Sequence, residues 1–263
     1  MELENKENKE ICNTFLKKGY LIKDIKNKIS LEWILNEYKQ IVLKLLKIKK
    51  TKVNDQDLFN QIHRYVKIRD LNKFRLEIYN RINKINEFKY HYYSIAREYL
   101  DLLVGNELVM QSRVNLSIQF PRDTSSLLPM HADTWSGVSP YEIVVWLPLV
   151  DCYKTKSMYF MKSNKMYLIK KLFKNKNLSP KNIFSKIRNE IEWLNVKYGQ
   201  VLIFDQSIPH GNIANKENET RWSMNCRFKS VFSPYADKKI GEYFEPITLK
   251  PVTIKALNYK YPK

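Results

Sequence analysis

Cysteine is scarce and nowhere clustered: Cys12, Cys152 and Cys226 lie far apart and form no CxxC or Cys/His spacing. That excludes a disulfide framework or a zinc knuckle and points to a reducing compartment. Long apolar runs are missing too. No window approaches the roughly 18 apolar residues of a membrane-spanning helix, and the opening MELENKENKEICNTFLKKGY mixes both charges without a signal-peptide core. The expectation is a cytoplasmic protein with no membrane span. There is no internal repeat and no linker-like stretch, so the 263 residues, enough for a full core, are expected to form a single unit. Acidic residues are in the minority. The chain has 27 Asp and Glu against 46 Lys and Arg, a formal net charge of +19. Such an excess invites nucleic acid. The lysines, however, are scattered beside Asn and Ile and become dense only at Lys47–Lys52 and Lys170–Lys176. A solvated surface or an anionic small substrate fits that scatter better. Disorder is excluded as the overall state by 44% hydrophobic and 13% aromatic residues.

What is present divides the chain in two. Residues 1–105 read as mainly helical. Leu31, Ile34, Leu35, Tyr38, Ile41, Val42 and Leu45 mark one face of a helix with Ser30 as its expected N-cap. A second pattern runs from Asp55 to about Ile68, and further turns pass through Ile78, Ile82, Ile85, Tyr93, Ala96, Leu100 and Leu103 before Gly105 ends the region. From 106 to 263 the signals are β: Val114–Phe120, Tyr141–Leu149, Ser157–Met161, Gln200–Phe204 and Thr220–Phe232. A Lys-rich amphipathic stretch at about 163–189 reads as a helical insertion broken near Ser179-Pro180.

Of the four histidines, two have company. In PMHADTWSG, His131 and Asp133 are two residues apart, which on extended chain places both side chains on one face, as shared coordination of a metal requires. His210 follows the apolar strand Gly199 to Phe204, and Arg221 opens another strand eleven residues beyond it. Two His and one carboxylate form a facial ligand set that leaves three positions of an octahedral iron open. Arg221 supplies a cation for the far end of a dicarboxylic cosubstrate, and Ser223, on the same strand face, adds a hydroxyl. Asn115, Ser117 and Gln119 form a polar row on their own strand, as Ser223, Asn225 and Arg227 do on theirs. Gln119 is accordingly a candidate for the cosubstrate, Asn115 and Arg227 for the substrate, and Trp135 for the substrate mouth. On spacing alone, two structural histidines, a turn Asp and a surface Arg account for the same residues. His63 and His91 have no metal-spaced partners and read as structural or exposed. Trp33, Trp146, Trp193 and Trp222 read as core.

Residues 108–232 resemble the Fe(II)/2-oxoglutarate-dependent oxygenases of the phytanoyl-CoA dioxygenase superfamily. More narrowly, they resemble the bacterial oxygenases of carbohydrate-biosynthesis clusters, the streptomycin-biosynthesis type. The resemblance rests on QFPRD before the HxD, EIVVWLPLVD after it, GQVLIFD before the distal histidine, HGN, and Arg221 at the family offset; FLKKGYLI also resembles the start of such chains. It implies an α+β fold with a double-stranded β-helix (jelly-roll, cupin-like) core, the helical N-terminal region packed on it, and the helical insertion. It implies iron held by His131, Asp133 and His210, 2-oxoglutarate held by Arg221 and Ser223, and O2 as second cosubstrate. The chain departs from the family where a glycine-rich NG…GSH stretch is common: here CYKTKSMYFMKSNKMYLI stands instead. An intact Asp133 argues against the halogenating branch. The substrate implied is a carbohydrate, and the charge together with the cationic insertion Lys165–Lys186 suggests an anionic one, nucleotide-linked or phosphorylated. The rival is a non-catalytic basic module for nucleic acid or an anionic polymer, which has no use for the triad with Arg221.

Overall fold

The computed structural model describes residues 5–49, 54–173 and 180–262. Parts of both dense lysine runs, and Ser179, therefore lie outside the described residues. Among the described residues the N-terminal half is built by the α-helices α1 (Lys6–Lys18), α2 (Lys28–Leu46), α3 (Asp55–Asn60), α4 (Leu71–Ile82), α5 (Asn86–Ser94) and α6 (Arg97–Leu103). Asn5 caps α1 through its side-chain oxygen, and Gly19 closes it in the left-handed region at φ 77°. The chain then forms a strand where helix was expected, β1 (Tyr20–Asp24). Helix α2 begins ahead of the expected cap: Asn27, not Ser30, accepts the first-turn amide, that of Ser30, at 3.0 Å. Its apolar stripe is buried as the spacing predicts, from Leu31 through Val42.

The remaining strands are β2 (Leu108–Gln111), β3 (Asn115–Gln119), β4 (Ile143–Pro148), β5 (Tyr159–Met161), β6 (Ile191–Trp193), β7 (Gln200–Asp205), β8 (His210–Gly211), β9 (Arg221–Ser230) and β10 (Phe244–Thr248). The insertion holds α7 (Met166–Phe173) and α8 (Pro180–Ile187), and α9 (Pro251–Leu257) follows the last strand. A seven-stranded antiparallel sheet runs β1-β7-β4-β9-β2-β10, with β3 also on β9. A three-stranded sheet runs β6-β5-β8. Phe160 of the small sheet packs its ring on Tyr20 and Phe204 of the large one, at 5.3 and 5.1 Å between centroids.

Strand β9 explains how the halves meet. Trp222, Met224, Cys226 and Phe228 are fully buried, and Phe59 of α3 and Phe74 of α4 pack edge-on against Trp222. Tyr92 of α5 donates to the Val145 carbonyl of β4 at 2.8 Å. The helices thus cover one face of the large sheet in a continuous apolar core. The alternate residues, Arg221, Ser223, Asn225 and Arg227, are left on the other face. The insertion packs Ile169 and Ile187 onto Met130, Tyr159 and Met161, beside the segment that carries His131.

Candidate metal and cosubstrate site

His131 and His210 come from distant parts of the sequence and meet as a two-residue antiparallel bridge, each backbone N–H donating to the other's carbonyl at 2.9 and 2.8 Å. Ala132 is extended, so the His-x-Asp spacing aims His131 and Asp133 to one side, after which a 3-10 turn (Asp133–Ser136) begins. One ligand atom from each of His131, Asp133 and His210 lies within 4.8 Å of the others. His131 Nε2 and Asp133 Oδ1 are 3.6 Å apart, within a small side-chain movement of the roughly 3 Å between neighbouring ligands of an ion with bonds near about 2 Å.

Both imidazoles are oriented through their far nitrogens. Nδ1 of His131 bonds the Pro129 carbonyl and Nδ1 of His210 the Ile208 carbonyl, each at 2.8 Å. A carbonyl only accepts, so each Nδ1 carries a proton, and in the neutral ring that leaves the lone pair on Nε2. Burial first, and neighbouring His131 second, push the His210 pKa down to about 4, which keeps it neutral and ligand-competent. The rings of Phe204 and Phe160 wall His210 at 5.3 and 6.0 Å.

Arg221 is 3% exposed. One of its terminal nitrogens reaches Ser117 Oγ at 3.0 Å and the other the Ser157 carbonyl at 3.4 Å, while Nε has no partner. No carboxylate among the described residues forms an ion pair with it, and burial lowers its pKa. A buried, unpaired guanidinium is costly unless an anion joins it. It faces a cavity of about 50 Å³ that is also lined by His131, His210, Ser223 and Asn225. The donor set and the orphaned cation together fit a divalent metal with a dicarboxylate beside it.

The other expected residues divide. Gln119 stands opposite Arg221 across β3 and β9, with its amide N–H on the Ile213 carbonyl and its Oε1 without a partner. Asn115 bonds Asn225 at 3.0 Å and lines a groove of about 430 Å³ that shares Ser117, Leu128 and Asn225 with the metal-side cavity. Trp135, 43% exposed, sits on the turn after Asp133. Arg227 shares the strand face, as expected, and is engaged there by protein partners: Nη2 bonds Asp133 Oδ2 at 2.6 Å, Nε bonds Gln206 Oε1, and Nη1 bonds Tyr243 and Gln111. Burial opposes its charge, but Asp133 and Tyr243 outweigh that and raise its pKa. His63 and His91 are held by Thr220 and Ser30 away from the site.

Sequence reasoning missed Gln206 and Asn212. Asn212 accepts from Leu128 N–H at 2.6 Å and so pins the wall formed by the Ser126–Leu128 loop to β8. HGN displays it directly after the ligand. No sequence signal marks Gln206.

Compared with solved structures, the chain is similar to the nickel complex of ThoJ, a non-heme monooxygenase, with TM-score 0.57 and 14% identity over 91% of this chain and 84% of that one. It is similar to HygX from Streptomyces hygroscopicus with nickel and 2-oxoglutarate bound, with TM-score 0.51 and 11% identity over 88% and 89%. AviO1 from Streptomyces viridochromogenes Tue57 matches with TM-score 0.50 and 13% identity over 89% and 99%. At such identities the likeness is one of fold, a mixed helical and antiparallel-sheet architecture shared with these proteins. No family model and no curated protein matches the chain.

Proposed function

We propose that the chain is an Fe(II)- and 2-oxoglutarate-dependent dioxygenase with a double-stranded β-helix core, which hydroxylates a carbohydrate bearing a phosphate or nucleotide group. One observation carries the reading: both histidines of a His/Asp/His set with ligand atoms within 4.8 Å share a cavity with a buried guanidinium that forms no ion pair among the described residues. The fold shared with HygX, a protein that binds nickel and 2-oxoglutarate, supports it. His131, Asp133 and His210 would hold the iron and leave three adjacent positions open. When bound, iron with 2-oxoglutarate and O2 supplies oxidation of an unactivated C–H bond while the cosubstrate becomes succinate.

The chain's own residues do the rest. Arg221 neutralises the cosubstrate's far carboxylate with charge-assisted hydrogen bonds, Ser223 adds a hydroxyl donor from the same strand face, and Gln119 backs Arg221 from the next strand. Phe160 and Phe204 exclude water from the His210 side. The groove beside the cavity offers the hydroxyl and amide groups of Asn115, Ser117 and Asn225 to a sugar, with Arg75 as its cation. Trp135, exposed on the turn after Asp133, would meet the substrate, and the lysines of the 165–186 insertion would enrich the surroundings in anionic substrate.

The test is substrate-dependent succinate formation with UDP-glucose, glucose 6-phosphate and glucose in parallel. Turnover with the anionic sugars should exceed that with glucose. It should also fall steeply with added salt, because exposed charges are screened over about 8 Å at physiological ionic strength. Salt-insensitive turnover, or preference for the neutral sugar, would contradict the substrate class.

A further inference from the structure

We propose that Gln206 and Arg227 form a positioning clamp on Asp133, holding one carboxylate oxygen toward the metal and the other away from it. The inference rests on the iron reading. Asp133 is fixed at both ends. Its backbone N–H donates to the Gln206 carbonyl at 3.0 Å, and its Oδ2 accepts from Arg227 Nη2 at 2.6 Å. The two clamp residues are also joined to each other, since Arg227 Nε donates to Gln206 Oε1 at 3.1 Å. Gln206 is itself immobilised: fully buried, its amide nitrogen donates to the Ser139 carbonyl at 2.7 Å and to buried Glu142 at 3.2 Å. Tyr243, from the segment before β10, accepts from Arg227 Nη1 at 3.0 Å and fixes the guanidinium from the far side. With Oδ2 engaged, Oδ1 is the oxygen turned to the histidines, 3.6 Å from His131 Nε2.

Two effects of Arg227 on a metal oppose each other. Its positive charge repels a cation bound to Asp133. Its fork keeps the carboxylate from turning or from chelating through both oxygens, which would take a position the cosubstrate needs. Metal-binding carboxylates depend on such partners, whose loss typically costs about 10- to 100-fold in metal affinity or activity. Here geometry is expected to outweigh repulsion, because Arg227 makes four directional bonds, to Asp133, Gln206, Tyr243 and Gln111, and Gln206 is itself held by Ser139 and Glu142.

Titration of the metal-free full chain with Co(II), read by visible absorption and calorimetry, separates the two. Arg227→Met, neutral and without donors, should bind Co(II) about 10-fold or more weaker than wild type. Arg227→Gln, equally neutral but able to donate one hydrogen bond to Oδ2, should recover part of the loss. If charge decided, both variants would bind Co(II) more tightly than wild type. Co(II) binding by folded Arg227→Met that equals or exceeds wild type overturns the clamp. If Arg227→Met does not fold, Tyr243→Phe decides: a few-fold weaker Co(II) binding is expected, and unchanged binding overturns the proposal. Wild-type protein that takes up no Co(II) would remove the iron reading and the clamp together, whereas normal wild-type uptake with an unaffected variant removes the clamp alone.

Discussion

Burial sets the chemistry of individual side chains here. His210 is neutral because it is enclosed and lies beside His131, with its pKa down at about 4 against an ordinary 6.5. Unfolding restores the ordinary value, so between about pH 6.5 and 4 the unfolded chain binds a proton that the folded one refuses. This contribution is neutral above that window and becomes destabilising as pH falls through it. Metal-free protein should therefore lose urea resistance between pH 7.5 and 5, and His210→Gln should lose less over the same interval; equal losses would show that His210 is not the buried neutral base. The site was legible at this scale where chemistry imposes spacing, as in His131-x-Asp133, His210 and Arg221. Arg227 was legible only in part. Alternation placed it on the correct strand face, but its partners, Asp133, Gln206, Tyr243 and Gln111, come from four separate segments that no local pattern connects.

Among the elements, β8 is the shortest strand and the most exacting. It spans only His210 and Gly211, and a Cβ on Gly211 would sit 2.7 Å from the Tyr159 hydroxyl and 2.8 Å from the Leu128 carbonyl oxygen. The second neighbour is backbone and cannot swing away. Gly211→Ala should destabilise the protein by about 1–3 kcal/mol, as overpacking does, and should weaken metal binding by displacing His210. Calorimetric unfolding unchanged from wild type would contradict that close approach. The amphipathic elements were readable: the buried stripe of α2 and the two-faced β9 follow period 3.6 and period 2. The elements missed are those whose identity is tertiary. β1 follows a helix-closing glycine and is a strand only because Tyr20–Asp24 pairs with Gln200–Phe204. β2 is buried at every position and so shows no alternation. β6 is three residues long, and β10 has an irregular register beside Pro246.

For the molecule as a whole, one sheet separates two environments. Helices seal one face with apolar contacts, and the other face holds the polar side chains where the small sheet delivers His210. Cys152 and Cys226 are buried thiols outside any disulfide, and no helix among the described residues is long and apolar enough to cross a membrane. The central claim is that this polar face binds iron and 2-oxoglutarate together. Anaerobic addition of Fe(II) and then 2-oxoglutarate tests it most directly, by the weak visible charge-transfer band of a 2-oxo acid chelated to Fe(II). Wild type should develop the band only when both are present. Arg221→Ala should retain Fe(II) but need far more 2-oxoglutarate, since a broken buried ion pair costs about 3–5 kcal/mol. No band in wild type at saturating Fe(II) and 2-oxoglutarate, or an identical titration in Arg221→Ala, would contradict the account.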